Sequence, residues 1–288
     1  EKGMSVERTT AEAVHNALSN GISIGVSGEA SLTRHAPFTL FPSPVPRASF
    51  QQAWDLATCF GTLVHRVASD PLWLIQALSS ASESDAFTNG LLDILRQTTD
   101  PSDGSPLFSP WSLGLHRSDY MLHLNNGPEN FDDVKLTQVE INTIASSFPM
   151  LSNRMSKFHQ HTISWLNENA VAPTANSWNQ DKQKNWDESR LPPNDTPQEY
   201  AQTIALAHST FLSSQGPSFE GRRVVAIFVV QDKERNFVDQ RALEYEVKSL
   251  GVTMIRRSLS DLALSLSVDP VSGSLLYSEG PSSGVIDA

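Results

Sequence analysis

Hydrophobic residues recur at helical spacing within the first hundred residues of the chain. Thr9 and Glu12 form a capping-box pattern, which predicts the start of a helix that ends at Asn20 and Gly21. Two later stretches each place apolar side chains on one helical face, at Ala53, Trp54, Ala57, Phe60 and Val64 and at Leu91, Leu92 and Leu95. We expect both faces to contact the core, and Cys59 to be buried beside the first of them.

Alternating and continuous apolar patterns predict strands further along the chain. Residues 113–123, "LGLHRSDYMLH", and 139–148, "VEINTIASSF", both begin with apolar and polar positions in alternation, as a strand with one polar face does. Residues 224–230, "VVAIFVV", are continuously apolar, which is typical of a strand buried on both faces. A polar loop, a helical stretch and a second strand-like segment, residues 252–255, "VTMI", follow, so the pattern predicts a βαβ unit. The predicted fold class is α/β, in a mixed α+β arrangement.

Two stretches lack a regular hydrophobic period. Residues 36–46, "APFTLFPSPVP", hold four prolines, which predicts an extended connector that packs against the body of its domain. Residues 170–198 are polar and contain proline, which predicts a surface insertion or linker. We therefore divide the chain into a first portion, 1–198, that includes this insertion, and a second portion, 199–288.

Composition and charge narrow the class of protein. The chain has 288 residues, 39% of them hydrophobic, which is enough to bury a core. It has 21 basic and 32 acidic residues, and this net charge of -11 disfavours binding to nucleic acid or to an anionic membrane. A single cysteine allows no internal disulfide, and no apolar run reaches the length of a membrane span. We expect a cytoplasmic protein.

Glu140 and Asn142 are candidate metal ligands. Residues two apart on a strand lie on the same face, about 6.6 Å apart. Mg²⁺ is bound by oxygen ligands and often takes only one or two from the protein, with water and phosphate completing its shell. The alternative is a polar strand face that carries no chemistry, and the spacing alone does not decide between the two.

Two further groups of polar residues are candidates for ligand binding. Arg117 is suited to bind a substrate carboxylate, although an arginine on a strand is also a common partner in a surface salt bridge. In a βαβ unit, ligands bind where the strand ends and the helix begins. The polar residues at that point are Glu234, Arg235, Asn236 and Gln240. A solvated loop is the alternative there, and no glycine-rich dinucleotide motif follows the strand.

Four stretches of the chain together resemble the signature segments of the eukaryotic glutathione synthetase family. They occur in the family's order and at about its spacing, and they are "APFTLFPSPVP", "LGLHRSDYML", "QVEINTIASSF" and "QDKERNFVDQRALE". A weaker match, "GVTMIRRS", follows them. The resemblance covers most of the chain outside the polar insertion.

This resemblance implies an ATP-grasp-type ligase fold and an ATP-dependent carbon–nitrogen ligase. Members of the family join glycine to γ-glutamylcysteine through an acyl phosphate, with Mg²⁺ bound around ATP, and are normally homodimers. Residues 1–198 would form part of the ligase body, and residues 199–288 would begin a Rossmann-like substrate-binding domain.

The resemblance also implies a role for each candidate residue. Glu140 and Asn142 would bind Mg²⁺, and Glu140 would also lie near ATP. Arg117 would bind the dipeptide's carboxylate, and the turn of Ile144, Ala145, Ser146 and Ser147 would contact substrate through its backbone. The γ-glutamylcysteine pocket would be lined by Glu234, Arg235, Asn236 and Gln240. Beyond these metal and substrate ligands, the segment supplies no catalytic residue.

Several family features are missing from the printed sequence. It contains no glycine-rich phosphate loop, no lysine pair for ATP and no "FRDGY" segment. Residues 284–288, "GVIDA", have the character of a strand that is cut off, so we expect an incomplete ATP-grasp fold and a chain that is inactive by itself. The alternative is a truncated, non-catalytic paralogue that binds γ-glutamylcysteine-like peptides or pairs with a full-length subunit.

Overall fold

A computed structural model describes residues 6–27, 29–107, 111–124, 134–169, 187–215, 223–270, 273–278 and 286–287. These residues form helices and small sheets of two or three strands, which confirms a mixed α/β fold. They divide into two compact units. The first unit comprises residues 1–44 and 147–288, and the second comprises residues 45–146. The domain division predicted near residue 198 stays a prediction.

The elements follow one another in this order. The chain begins with α1 (Val6–Ser19), β1 (Ser23–Val26) and β2 (Glu29–His35). The second unit contains α2 (Arg47–Ala68), α3 (Pro71–Ala77), α4 (Ser79–Ser84), α5 (Ala86–Gln97), β3 (Arg117–Leu124) and β4 (Val134–Asn142). The chain then returns to the first unit with α6 (Pro149–Glu168), a 3-10 helix (Glu188–Arg190), α7 (Thr196–Ser214), β5 (Ala226–Val230), α8 (Phe237–Ser249), β6 (Met254–Ser258), α9 (Leu259–Ser265), β7 (Leu266–Val268), β8 (Leu275–Tyr277) and β9 (Ile286–Asp287).

The βαβ unit predicted near the end of the chain is present. Strands β5 and β6 pair in parallel, from Ala226 opposite Met254 to Val230 opposite Ser258, and α8 connects them. The helix packs on this pair through the buried residues Leu243 and Val247. Strand β5 is not buried on both faces as predicted, because Val229 is half exposed.

The proline-rich connector has no helix or strand, as predicted. Its first residue, Ala36, is buried, and Phe38 and Leu40 pack against the hydrophobic cluster that α1 and α6 form. Phe158 of α6 is the largest buried residue of that cluster, with 1% of its surface exposed, and its ring lies 4.9 Å from the ring of Phe38. The connector therefore contributes side chains to the core of the first unit.

Helix α6 begins without a capping side chain of its own. Phe148, before the first helical residue Pro149, has a left-handed φ of 79° and makes no side-chain cap. The cap comes from Asp239 of α8, which is 1% exposed. Its carboxylate accepts from the backbone N–H groups of Phe148, Met150 and Leu151 at 2.8–3.0 Å. Two helices distant in sequence are thereby joined by a buried, charge-assisted contact.

Three expectations about helices are wrong. Helix α1 starts at Val6, so Thr9 lies inside the helix and not at its cap, although the end near Asn20 is confirmed. Trp54 of α2 is 64% exposed, and Cys59 is exposed. Periodicity identifies the apolar face of a helix, but it does not show whether another element covers that face.

The second unit combines four helices with the antiparallel hairpin of β3 and β4. Of its large aliphatic and aromatic side chains, only Leu92 is fully buried among the residues that the structure describes. Apolar side chains with more than half of their surface exposed include Trp54, Phe87, Leu91 and Ile94. In the described part of the chain, no helix is long and apolar enough to cross a membrane.

Candidate functional site

A β-bulge in the hairpin of the second unit brings the polar ends of β3 and β4 together. Asp119 pairs with Glu140, whereas the next residue, Tyr120, pairs with Gln138, so Val139 is the extra residue. Such bulges bend a strand and change the direction of its side chains. The irregularity thus lies directly beside the predicted metal ligand Glu140.

Asp119 is the centre of the resulting polar cluster. The Arg117 Nε donates to Asp119 Oδ1 at 2.9 Å, and the Arg117 Nη2 donates to Oδ2 at 3.1 Å. The Asn142 Nδ2 donates to Asp119 Oδ2 at 3.3 Å and to Glu140 Oε1 at 3.2 Å. The hydrogen bonds from Arg117, together with its charge, hold the pKa of Asp119 below its usual range.

The composition of this cluster is compatible with a magnesium ion. The described residues include no group of three or more His, Cys, Asp or Glu that could hold a metal. Two carboxylates and one amide do lie together in the hairpin, at Asp119, Glu140 and Asn142. One or two protein oxygens are enough where substrate phosphates supply the remaining ligands of Mg²⁺.

The turn after β4 has an unusual backbone. Ala145 has a φ of 50°, in the left-handed region that residues other than glycine rarely adopt. The Ser146 hydroxyl is within hydrogen-bonding distance of the carbonyl oxygens of Leu115, at 2.9 Å, and Asn142, at 3.0 Å. Ile144 is 85% exposed. Backbone strain of this kind, about 1–3 kcal/mol per residue, often accompanies function.

The first unit contains a cavity of about 650 Å³ where β5 and β6 end. This is the edge of a parallel sheet at which ligands are expected to bind. Its wall includes Glu234, Arg235, Arg256, Arg257 and Ser258. Gly25 of β1 also contributes, and a side chain there would lie only 3.3 Å from the carbonyl oxygen of Arg235. Glycine therefore allows β1 to approach this loop closely.

Asn236 and Gln240 contact Glu234 and are not among the residues that line the cavity. The Asn236 backbone N–H donates to Glu234 Oε1 at 2.7 Å, and the Gln240 Nε2 donates to Glu234 Oε2 at 2.9 Å. The Asn236 Nδ2 donates to the Asp239 carboxylate at 3.3 Å. The opposite end of this amide, Asn236 Oδ1, is buried and has no hydrogen-bond partner among the described residues. An unpaired buried acceptor is destabilising.

The structure groups the predicted site residues within two separate units. Arg117, Glu140, Asn142 and the turn up to Ser146 belong to the second unit, whereas Ser147 and residues 234–240 belong to the first. Sequence reasoning did not identify Asp119, Asp239 or Arg256 as organising residues. The alternating pattern that placed Asp119 beside Arg117 was a usable signal for the first of them.

Comparisons with known proteins agree with the resemblance found in the sequence. The protein-family model of the eukaryotic glutathione synthase ATP-binding domain matches residues 4–262 of the sequence. Glutathione synthetase from Bos taurus is 33% identical over 267 residues, and the human protein is 32% identical over 267 residues. Each alignment covers 92% of this chain and 50% of the relative. The chloroplastic enzyme from Solanum lycopersicum is 33% identical over 230 residues, which are 79% of this chain and 36% of the relative.

A solved structure has a similar fold. It is that of a glutathione synthetase-like effector from Globodera pallida in its apo form, with a TM-score of 0.65 and 21% sequence identity. The similarity covers 99% of this chain and 57% of the effector chain. The chain spans about half the length of the mammalian relatives that it matches. The match over residues 4–262 shows that this chain belongs to the eukaryotic glutathione synthase ATP-binding domain family.

Proposed function

We propose that this chain provides the dipeptide-binding and metal-binding parts of a glutathione synthetase, which joins glycine to γ-glutamylcysteine at the expense of ATP. The cavity at the ends of β5 and β6 carries this proposal, because Glu234 and Arg235, both predicted from sequence, lie in its wall. Family membership supplies the reaction. The finer fold expectations, an ATP-grasp ligase with a Rossmann-like substrate domain, form part of the same proposal.

The charges of the cavity wall suit a zwitterionic dipeptide. γ-Glutamylcysteine carries one ammonium group and two carboxylates. Several residues of each charge line the wall, among them Glu234 as an anionic acceptor and Arg235, Arg256 and Arg257 as cationic donors. Glu234 is itself held by the Asn236 backbone N–H, so its carboxylate has a fixed position in the wall. Fixed groups of both signs would orient such a substrate in one direction.

Glu140 and Asn142 would hold the magnesium ion that accompanies ATP. When bound, Mg²⁺ would neutralise charge on the phosphate groups during formation of the acyl phosphate. In the present structure the Asn142 Nδ2 contacts the Glu140 carboxylate. If the Asn142 amide oxygen and the Glu140 carboxylate both bound the ion, this hydrogen bond would be lost. Asp119 would remain the partner that orients Arg117.

The family resemblance makes Arg117 and the turn after β4 further candidates for binding the dipeptide. Asp119 accepts from two N–H groups of the Arg117 guanidinium and so fixes its plane. A guanidinium fixed in this way is suited to bind a substrate carboxylate in one orientation. The turn of Ile144, Ala145, Ser146 and Ser147 would contribute backbone groups. Its strained conformation at Ala145 supports a binding role.

We also propose that the protein is a cytoplasmic homodimer. The exposed apolar side chains of α2 and α5, among them Trp54, Phe87 and Ile94, support burial against a second copy. Light scattering coupled to size-exclusion chromatography should give twice the mass of the chain. A monomeric mass at micromolar concentration would contradict the dimer, and recovery in the particulate fraction of cells would contradict the location.

The direct test is to incubate the purified protein with γ-glutamylcysteine, glycine, ATP and Mg²⁺. Formation of glutathione, detected by mass spectrometry, would support the proposed reaction. Calorimetry measures dipeptide binding in parallel. Binding without any product would favour the peptide-binding paralogue, and neither product nor binding would overturn the proposed function.

A further inference from the structure

A continuous series of hydrogen bonds joins β6 to the loop before α8. The Arg256 Nη1 donates to Glu244 Oε1 at 2.6 Å, and the Arg256 Nη2 donates to Gln240 Oε1 at 2.6 Å. At the other end of its amide, the Gln240 Nε2 donates to Glu234 Oε2 at 2.9 Å. Gln240 therefore connects two oppositely charged residues of the cavity wall, Arg256 and Glu234.

Glu244 fixes the position of Arg256. Only 1% of the Glu244 side chain is exposed, and its second oxygen accepts from Arg241 Nη1 at 2.8 Å. The Arg256 side chain is itself 12% exposed. A buried carboxylate is strongly destabilised when its cation moves away, so Arg256 is held in place even though it borders the cavity.

The Gln240 amide has one favourable orientation between these charges. Its oxygen contacts the guanidinium, and its nitrogen contacts the carboxylate. The flipped amide would place N–H groups against the guanidinium and an oxygen against Glu234. The amide thus acts as a spacer between a cation and an anion and fixes their separation.

We propose that Arg256 is a further substrate-binding residue, which takes the α-carboxylate of the γ-glutamyl residue while Glu234 takes its α-ammonium group. Gln240 and Glu244 are positioning residues that hold this pair of charges. The inference rests on the proposed function, because it assigns the cavity to the γ-glutamyl end of the dipeptide. It predicts that the cavity recognises a free α-amino acid end.

Two analogues of the dipeptide separate the two contacts. Glutarylcysteine lacks the ammonium group, and 4-aminobutanoylcysteine lacks the α-carboxylate. In the unsubstituted chain, calorimetry should give Kd values for both analogues roughly tenfold or more above that for γ-glutamylcysteine, because each analogue loses a charge-assisted contact. The ratio of each analogue's Kd to that of the dipeptide is the quantity to follow.

The informative variant replaces the buried pair together, Arg256→Met with Glu244→Met. Removing both members avoids leaving the buried Glu244 carboxylate with the half-exposed Arg241 as its one charged partner among the described residues. We expect the ratio for 4-aminobutanoylcysteine to fall to roughly 1, and the ratio for glutarylcysteine to remain above roughly fivefold. Glu234→Gln should show the opposite selectivity, and Gln240→Leu should lower both ratios. A general loosening of the fold would not separate the two analogues.

Arg223→Met is the matched control. Arg223 is an exposed arginine before β5 that contacts Thr253 Oγ1 at 3.3 Å and is not part of the cavity wall. Both ratios should be unchanged in this variant. If the double variant does not fold, Arg256→Lys replaces it, since lysine keeps the charge but lacks the planar fork that reaches two partners and a carboxylate.

The outcomes distinguish this inference from the proposed function. Failure of the unsubstituted chain to bind γ-glutamylcysteine would overturn both. Binding with the ratio for 4-aminobutanoylcysteine unchanged in the Arg256 variants would overturn the assignment of Arg256 alone. A fall in the ratio for 4-aminobutanoylcysteine, without an equal fall in the ratio for glutarylcysteine, would support the assignment of Arg256.

Discussion

At the scale of single residues, Asp119 determines the geometry of the candidate metal site. Its carboxylate accepts from Arg117 and Asn142, and it pairs across the hairpin with Glu140. Removing Asp119 would leave Arg117 without the contact that fixes its plane, and the Asn142 amide would lose one of its two acceptors. Asp119 therefore connects Arg117, which is predicted to bind the substrate carboxylate, to the predicted metal ligands Glu140 and Asn142.

The ion pair of Arg117 and Asp119 predicts a measurable shift in the pKa of Asp119. The pKa of Asp119 lies below the usual aspartate value of about 3.9, chiefly because of the hydrogen bonds from Arg117. A lowered pKa means that this ion pair stabilises the folded state at pH values above the usual aspartate pKa. The stabilisation is lost as the pH falls through the lower, folded-state pKa of Asp119. In Arg117→Met, the pKa of Asp119, measured by carbon NMR of its carboxyl group, should rise towards 3.9. An unchanged pKa would show that Arg117 is not its main partner in solution.

Glu140 predicts a second measurable effect. Manganese can replace magnesium and is observed by electron paramagnetic resonance, so binding can be followed without turnover. In Glu140→Gln, the Kd for Mn²⁺ in the presence of ATP should rise by roughly tenfold, because a neutral amide is a weaker ligand than a carboxylate. Glu83→Gln, at an exposed position on α4, should bind as the unsubstituted chain does. Equal Kd values in the two variants would remove Glu140 from the metal site.

At the scale of elements, the start of α6 depends on α8. Three N–H groups at the beginning of α6 point to Asp239, which is buried and also accepts from Asn236. Neither helix can shift along its axis without breaking these contacts. The Asp239 carboxylate thus fixes the start of α6. It also holds Asn236, which contacts Glu234 in the wall of the candidate site.

Asp239→Asn should destabilise the first unit. The substitution removes a charge and one acceptor oxygen from a site where several donors converge, at a cost of about 2–3 kcal/mol in the free energy of unfolding. Chemical denaturation provides the measurement. Asp195→Asn, at the start of α7, is the control, because Asp195 makes no side-chain cap. A similar loss in both variants would contradict the role assigned to Asp239.

Local patterns predicted elements better than they predicted contacts. The parallel pair β5 and β6 and the helix between them followed from apolar runs and spacing. The cap of α6 did not, because Asp239 lies 89 residues from Met150 and no local rule connects them. The exposure of Trp54 and Cys59 was missed for the same reason, since burial depends on whether another element covers a face.

At the scale of the whole molecule, the second unit has little core of its own. Leu92 is the one large apolar side chain that is fully buried in its described part, and Trp54, Phe87 and Ile94 are more than half exposed. A unit of this size needs substantial apolar burial to offset the entropy of folding.

Residues 45–146 expressed alone should therefore show no cooperative thermal transition by circular dichroism, and should bind a dye that detects exposed apolar surface. The 288-residue chain is the comparison and should unfold cooperatively. A sharp transition in the isolated unit would show that its core is sufficient.

The candidate site was predictable in its residue types but not in its connections. The rule that ligands bind at strand ends singled out Glu234, Asn236 and Gln240. Glu234 lines the cavity, whereas Asn236 and Gln240 contact Glu234 and do not line it. The bond from Arg256 to Gln240 depends on the register of two parallel strands and the rotation of α8, which the local pattern does not determine.

The cap of α6 by Asp239 has a consequence for synthesis on the ribosome. When residues 149–151 leave the exit tunnel, their capping carboxylate has not yet been made. The intervening 89 residues take about 4–18 s at ordinary elongation rates of about 5–20 residues per second. During that interval the first turn of α6 lacks its native cap. A chaperone that binds nascent chains would find this segment accessible until α8 emerges.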